Sequence, residues 1–102
     1  MAKRQTKIPP APPGETLAED FLKPLGISIN ALALDLHVPA TRISEIVRGR
    51  RSITADTALR LSRYFGTSPQ FWMNLQTNYD LEVAADSVEH RIKLQVHPRR
   101  AA

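Results

Sequence analysis

Apolar positions along this chain fall into short helical registers divided by clear stop signals. Ile29, Leu32, Ala33 and Leu36 recur at i, i+3, i+4 and i+7, one face of a helix. Ile43, Ile46 and Val47 form a second face of the same kind. Between them His37-Val38-Pro39 leaves room for a turn of only three to four residues. Two short helices joined so tightly have the geometry of a helix-turn-helix.

The same pattern places the other elements. A first helix is expected from Gly14–Thr16, with Thr16 and Glu19 at capping-box spacing and Leu17, Phe21 and Leu22 on its apolar side. Pro24 should end it by disfavouring helical geometry at Lys23, and Gly26 completes the stop. Ser28 caps the second helix, which runs to about Leu36. The third spans Ala40 to Arg48, with Gly49 where a left-handed C-terminal cap belongs. Thr54 caps the fourth, Asp56 suits its positive end, and Ile53 with Ala58 has hydrophobic-staple spacing. Ala58, Leu61 and Phe65 line its buried face, and Gly66 closes it. Ser68-Pro69 opens the fifth, whose apolar face is Phe71, Trp72, Leu75 and Tyr79. Beyond Asp86 the residues suit either more helix or, through Ile92–Val96, a short strand; helix followed by a frayed basic tail from His97 is expected. The chain reads as all-α. Residues 1–13 form a flexible Pro-rich basic arm, 14–86 a helix-turn-helix domain, and 87–102 a C-terminal extension and basic tail.

Composition narrows the function. The 102 residues suit one small domain, and the absence of cysteine excludes a disulfide or thiolate-zinc framework. The net charge of +4 is unevenly placed. From Pro39 to Arg63 there are six arginines (Arg42, Arg48, Arg50, Arg51, Arg60 and Arg63) against Glu45 and Asp56, while the rest of the chain balances eight bases with eight acids. A localised positive patch fits a polyanionic partner, although a solvated charged helix face would look similar. No apolar stretch suits a membrane span, and proline follows the basic N-terminus where a secretory signal would need an apolar run. A cytoplasmic protein is expected.

The outer face of the third helix carries Thr41, Arg42, Ser44, Glu45 and Arg48, followed by Arg50 and Arg51. Such a face suits the major groove of DNA. Arginine can fork onto guanine, and Glu45 can accept from cytosine or pair within its own helix with Arg42 or Arg48. Arg48, Arg50 and Arg51 lie where the chain would leave the groove, which suits phosphates. Ser28 and Asn30 open the second helix and could bond a phosphate, with Ser28 also serving as an ordinary cap. Phe71, Trp72, Leu75 and Tyr79 have helical spacing, which favours core or dimer interface over base stacking. Asp80, Glu82, Asp86 and Glu89 form an acidic cluster that fits a basic partner or plain solvation. His37, His90 and His97 lack ligand spacing, so no metal or cofactor is expected. No nucleophile–base constellation or phosphate loop appears, so neither is an enzyme.

Two blocks, PGETLAEDFLKPLGIS (13–28) and ITADTALRLSRYFGTSPQFWMNLQTNYDLE (53–82), resemble the HigA-type antitoxins of the Xre helix-turn-helix family. The resemblance covers about 70 residues. It implies a five-helix lambda-repressor-like fold with a C-terminal extension, acting as a homodimeric repressor of its own operon on double-stranded operator DNA. It further implies neutralisation of a small basic RelE- or HigB-like toxin that cleaves messenger RNA. By position in the motif, Ala40, Thr41 and Ser44 would face base edges, flanked by Arg42 and Glu45. His37 stands where the motif often has glycine, because that position tends to need positive φ; histidine tolerates it at some cost. Two alternatives stay open: an Xre-type repressor without a toxin partner, and a protein-interaction module that no longer binds DNA.

Overall fold

The computed structural model describes residues 9–100; the basic positions of the N-terminal arm, Lys3, Arg4 and Lys7, lie outside them. Among the described residues the chain forms five helices and no strand. Helix α1 comprises an α-helical turn Pro13–Thr16, a π-helical stretch Leu17–Leu22 and a final turn Lys23–Leu25. Helix α2 is Ile29–Leu36, α3 is Ala40–Val47, α4 is Ala55–Phe65 and α5 is Pro69–Gln95.

Local chemistry sets most of the boundaries. Ser28 Oγ accepts from the Ala31 amide at 3.0 Å, Thr54 Oγ1 from Thr57, and Ser68 Oγ from Phe71 at 3.1 Å, each satisfying a donor that the first turn leaves unpaired. Three helices end in the same way. Gly26 and Gly49 hold left-handed geometry, and His37 does so at φ 61°. At each, two amides reach back across the last turn: Val38 to Ala33 and His37 to Leu34, Arg50 to Glu45 and Gly49 to Ile46, Ile27 to Leu22 and Gly26 to Lys23. This is the Schellman pattern, and it fixes the exit direction of the chain. His37 therefore occupies the left-handed turn of the helix-turn-helix as anticipated.

Helix α1 departs from the reading of the sequence. Thr16 does not cap it, because the helix already starts at Pro13 and Thr16 is itself helical, with φ −61° and ψ −44°. Glu19 pairs instead with Lys23, four residues on, at 2.9 Å. Nor does Pro24 stop the helix at Lys23. The widened turn takes the Lys23 amide five residues back to the Ala18 carbonyl, so the helix has already left the i→i−4 ladder where proline lacks its donor.

The core gathers one stripe from every helix: Leu17 and Leu22, Leu32 and Leu36, Ile43 and Ile46, Ala58 and Leu61, and Trp72. The staple is present, with Ile53 and Ala58 both enclosed. Phe21 packs at 4.8 Å from Phe65 and 5.0 Å from Trp72, measured between ring centres. Trp72 is fully buried and its indole N–H donates to Thr67 Oγ1 at 2.8 Å. Its side chain is committed to its own core, the first of the two places that its helical spacing allowed, and leaves no exposed surface for the interface role.

Helix α5 continues to Gln95 without a break at Asp86, so the strand alternative is excluded; residues 96–100 are non-helical. Among the described residues no helix is long and apolar enough to cross a membrane.

Candidate nucleic-acid interface

The recognition helix α3 is seated from behind by two close contacts. Gly14 of α1 lies directly against its last turn: a methyl group at Gly14 would overlap the Ile46 carbonyl and come within 2.8 Å of Val47 Cα. Below, Ile43 and Ile46 are buried. That leaves the opposite face outward. Ala40, Thr41 and Arg48 are exposed and Ser44 is half-exposed. Together with Ser28, Ile29 and Asn30 at the start of α2 they line one open depression of about 390 Å³. Six of the positions expected to touch DNA are thus brought onto one surface, where a helix N-terminus meets the outer face of α3.

The remaining four, Arg42, Glu45, Arg50 and Arg51, divide. Arg50, like Arg48 beside it, is exposed with no ion pair or side-chain hydrogen bond among the described residues. Arg51 is engaged: its Nε and Nη2 lie 2.8 and 2.6 Å from Glu45 Oε1. Glu45 therefore pairs beyond its helix, and neither of the intrahelical pairs with Arg42 or Arg48 forms. Arg42 is also engaged, donating to Asp56 Oδ2 at 2.7 Å. Asp56 takes a second bond from Arg60 at 2.9 Å, and Arg60 donates in turn to the Leu36 carbonyl at 2.8 Å. The two guanidinium groups hold the Asp56 carboxyl below its usual range, the Arg60 hydrogen bond first and Arg42 next.

The sequence reading missed several residues that position this surface. In the sequence Gly14 marks only a helix start. Asp56 suits the α4 dipole there, and in the structure it also ties α4 to α3. Gln76 is buried on α5, where its Oε1 accepts from the Ile53 amide at 2.7 Å and its amide donates to Asp80 at 2.9 Å. This bond fixes the segment that follows Arg50 and Arg51. A glutamine among apolar neighbours was the available signal. Of the expected interface residues on α5, Leu75 packs against the core, Phe71 is 37% exposed and Tyr79 is half-buried. Among the described residues no group of three His, Asp or Glu side chains could hold a metal ion.

Fold and outer face together define a helix-turn-helix regulator. A helix-turn-helix family model matches residues 19–72. The virulence-associated protein I of Dichelobacter nodosus is 58% identical over 80 residues, covering 78% of this chain and 74% of that protein. An addiction module antidote protein of the HigA family from Coxiella burnetii is 46% identical, covers 90% of this chain and 100% of its own, and superposes with a TM-score of 0.85. The antitoxin HigA of Pseudomonas aeruginosa, solved with the higBA promoter, is also 46% identical, with coverage of 89% and 99% and a TM-score of 0.87. The chain belongs to the Xre-type helix-turn-helix family and, within it, to the HigA antitoxins.

Proposed function

We propose that this chain is an antitoxin that binds operator DNA as a homodimer, represses its own operon and neutralises a small basic RelE- or HigB-like toxin. Residues 14–86 carry the DNA-binding part. The observation that carries the reading is the continuous surface formed by Ser28 and Asn30 with Ala40, Thr41, Ser44 and Arg48. In this arrangement the α2 N-terminus meets a phosphate while α3 enters the major groove. Arg48 and Arg50 neutralise phosphates nearby. The likeness to an antitoxin solved with promoter DNA supports the same role. A two-fold dimer places its recognition helices in half-sites about 34 Å apart, or a multiple of it.

Gel shifts on DNA from the chain's own promoter, at several salt concentrations, test the DNA half. A dimer that neutralises roughly 6–10 phosphates gives a slope of log affinity against log salt on the order of −5 to −9. A salt-insensitive complex, or no preference for a palindrome, overturns it. Co-expression with the product of the neighbouring gene tests the toxin half: rescue of growth and copurification support it, and neither outcome leaves a repressor alone.

A further inference from the structure

Beside the end of α3 lies a second, smaller depression that the recognition face does not include. Its volume is about 120 Å³, less than a third of the one at that face. Pro12 and Pro13 form one wall, and the loop from Gly49 to Ser52 forms another. Gln76 and Tyr79 of α5 close it. The walls are stiff. Pro13 is buried, and the ring of Pro12 lies so near Gly49 that a methyl group there would come within 3.0 Å of Pro12 Cγ. Proline fixes its own φ, so this wall resists drawing back. On the other side, the bond from the Ile53 amide to Gln76 Oε1 pins the loop directly after Ser52.

Three polar side chains that line this space have nothing to bind. Arg50 is exposed and unpaired, and Ser52 and Tyr79 form no side-chain hydrogen bond among the described residues. Tyr79 is half-buried, and a phenol in that setting ordinarily finds a partner. Two arginines and no acid line the depression, so the partner it suits is an acceptor carrying negative charge. Arg51 already holds Glu45, which leaves Arg50 as the available cation. Arg48, two residues earlier, lines the recognition face, so an anion held here sits next to DNA held there. One guanidinium with two hydroxyls is a donor set that commonly takes a backbone phosphate. The small volume suits a single phosphate and no base.

We propose that this depression binds one backbone phosphate of the DNA through Arg50, Ser52 and Tyr79, beside the half-site entered by α3. The proposal rests on the DNA-binding reading above and extends the contact from the helix-turn-helix to α5. It gives Tyr79 a DNA contact in place of the dimer interface expected from its spacing.

Gel shifts with Tyr79→Phe on promoter DNA and on an unrelated duplex test it. The substitution keeps the ring and removes only the hydroxyl. Affinity for both duplexes should fall by the same factor, about tenfold for a dimer that loses one charge-assisted bond at each half-site. The salt slope should stay unchanged, because no protein charge is lost. Replacing backbone phosphates one at a time by methylphosphonate locates the contact. At one position in each half-site the native chain should lose affinity and Tyr79→Phe should lose markedly less, a coupling that a purely structural role for the ring does not produce. Ser52→Ala should reveal the same position. No position at which native and variant chains differ overturns the proposal, and so does a Tyr79→Phe chain that binds both duplexes as the native chain does. A dimer weakened by Tyr79→Phe in sedimentation, with no such position, returns the residue to the interface and also overturns it. A native chain that binds no promoter DNA overturns the DNA-binding reading and the proposal together. Inorganic phosphate separates the remaining source of the same chemistry. If millimolar phosphate raises the unfolding temperature of the native chain but not of Tyr79→Phe, while both bind DNA equally, the depression is a small-anion site and the DNA contact is overturned.

Discussion

The guanidinium of Arg42 on the recognition helix lies 2.7 Å from the carboxylate of Asp56 on α4, fourteen residues later in the chain. Because Asp56 also holds Arg60, and Arg60 holds the last carbonyl of α2, a single carboxylate connects three helices around the turn. Arg42 is thereby drawn toward α4, and its side chain is only 28% exposed. If the pair persists on DNA, Arg42 sets the angle of α3 and does not read a base. Arg42→Ala should then weaken operator and unrelated DNA by the same factor. A competition gel shift checks this, and a loss confined to the operator would restore the base-reading role.

The same carboxylate gives a pH dependence of known sign. Its pKa is lowered in the folded chain by Arg60 and Arg42, so the folded state resists its protonation. The stabilisation is complete above the ordinary aspartate range near pH 4 and is lost as pH falls through the depressed value. Urea midpoints of the native chain and Asp56→Asn should differ by a constant amount between about pH 5 and 8 and converge below about pH 4. A gap that widens in acid would contradict the clamp.

Gly14 offers a stability test at the back of the recognition helix. A methyl group there overlaps the Ile46 carbonyl, and because this neighbour is backbone it cannot swing aside. Either α1 lifts or α3 tilts. Gly14→Ala should cost about 1–3 kcal/mol in urea unfolding, the usual range for overpacking. DNA affinity should fall further than stability alone explains, because the helix that moves is the one that reads.

What the sequence disclosed, and what it hid, follows the range of the interactions. Ser28, Thr54 and Ser68 were legible as caps because each acts on an amide three residues away. Gly49 and His37 were legible for the same reason. The outer face of α3 followed from its apolar spacing, which left only one side free. Hidden were the pairings made at a distance: Gln76 with Ile53 across 23 residues, Arg42 with Asp56 across 14, and Gly14 against Ile46. Trp72 stayed open between core and dimer interface because periodicity reports that a face is apolar, not whether its own chain or another covers it. The first helix misled where its hydrogen-bond register changes, since a π-helical turn has no residue signature comparable to a cap.

His37 holds φ 61° in the turn, where a side chain is strained and glycine is not. Its imidazole is exposed, and among the described residues it forms no side-chain hydrogen bond. His37→Gly should therefore stabilise the chain by roughly 0.5–1 kcal/mol, the gain from relieving the strain less the added freedom of the unfolded state. Thermal unfolding measures it. A destabilised variant would mean that the ring makes a contribution beyond the turn.

Glu45 and Arg51 give the sharpest test of how charge is held at the DNA face. Two of the three guanidinium nitrogens of Arg51, Nε and Nη2, converge on one oxygen of Glu45, so part of the positive charge beside α3 is cancelled in the free protein. Glu45→Gln keeps the shape and removes the cancellation. The released guanidinium can then meet a phosphate, and the negative charge that would repel one is gone. Binding to unrelated DNA should tighten, and the salt slope should steepen by about one unit per protomer. Arg50→Ala, which removes an unpaired cation, should do the reverse: weaker binding to every sequence and a slope shallower by about one. If Glu45 instead accepts from a cytosine, Glu45→Gln will lose operator affinity while unrelated DNA gains. The two cases are separated by the ratio of specific to unspecific binding measured at a single salt concentration, since the phosphate term divides out of that ratio and the base term does not.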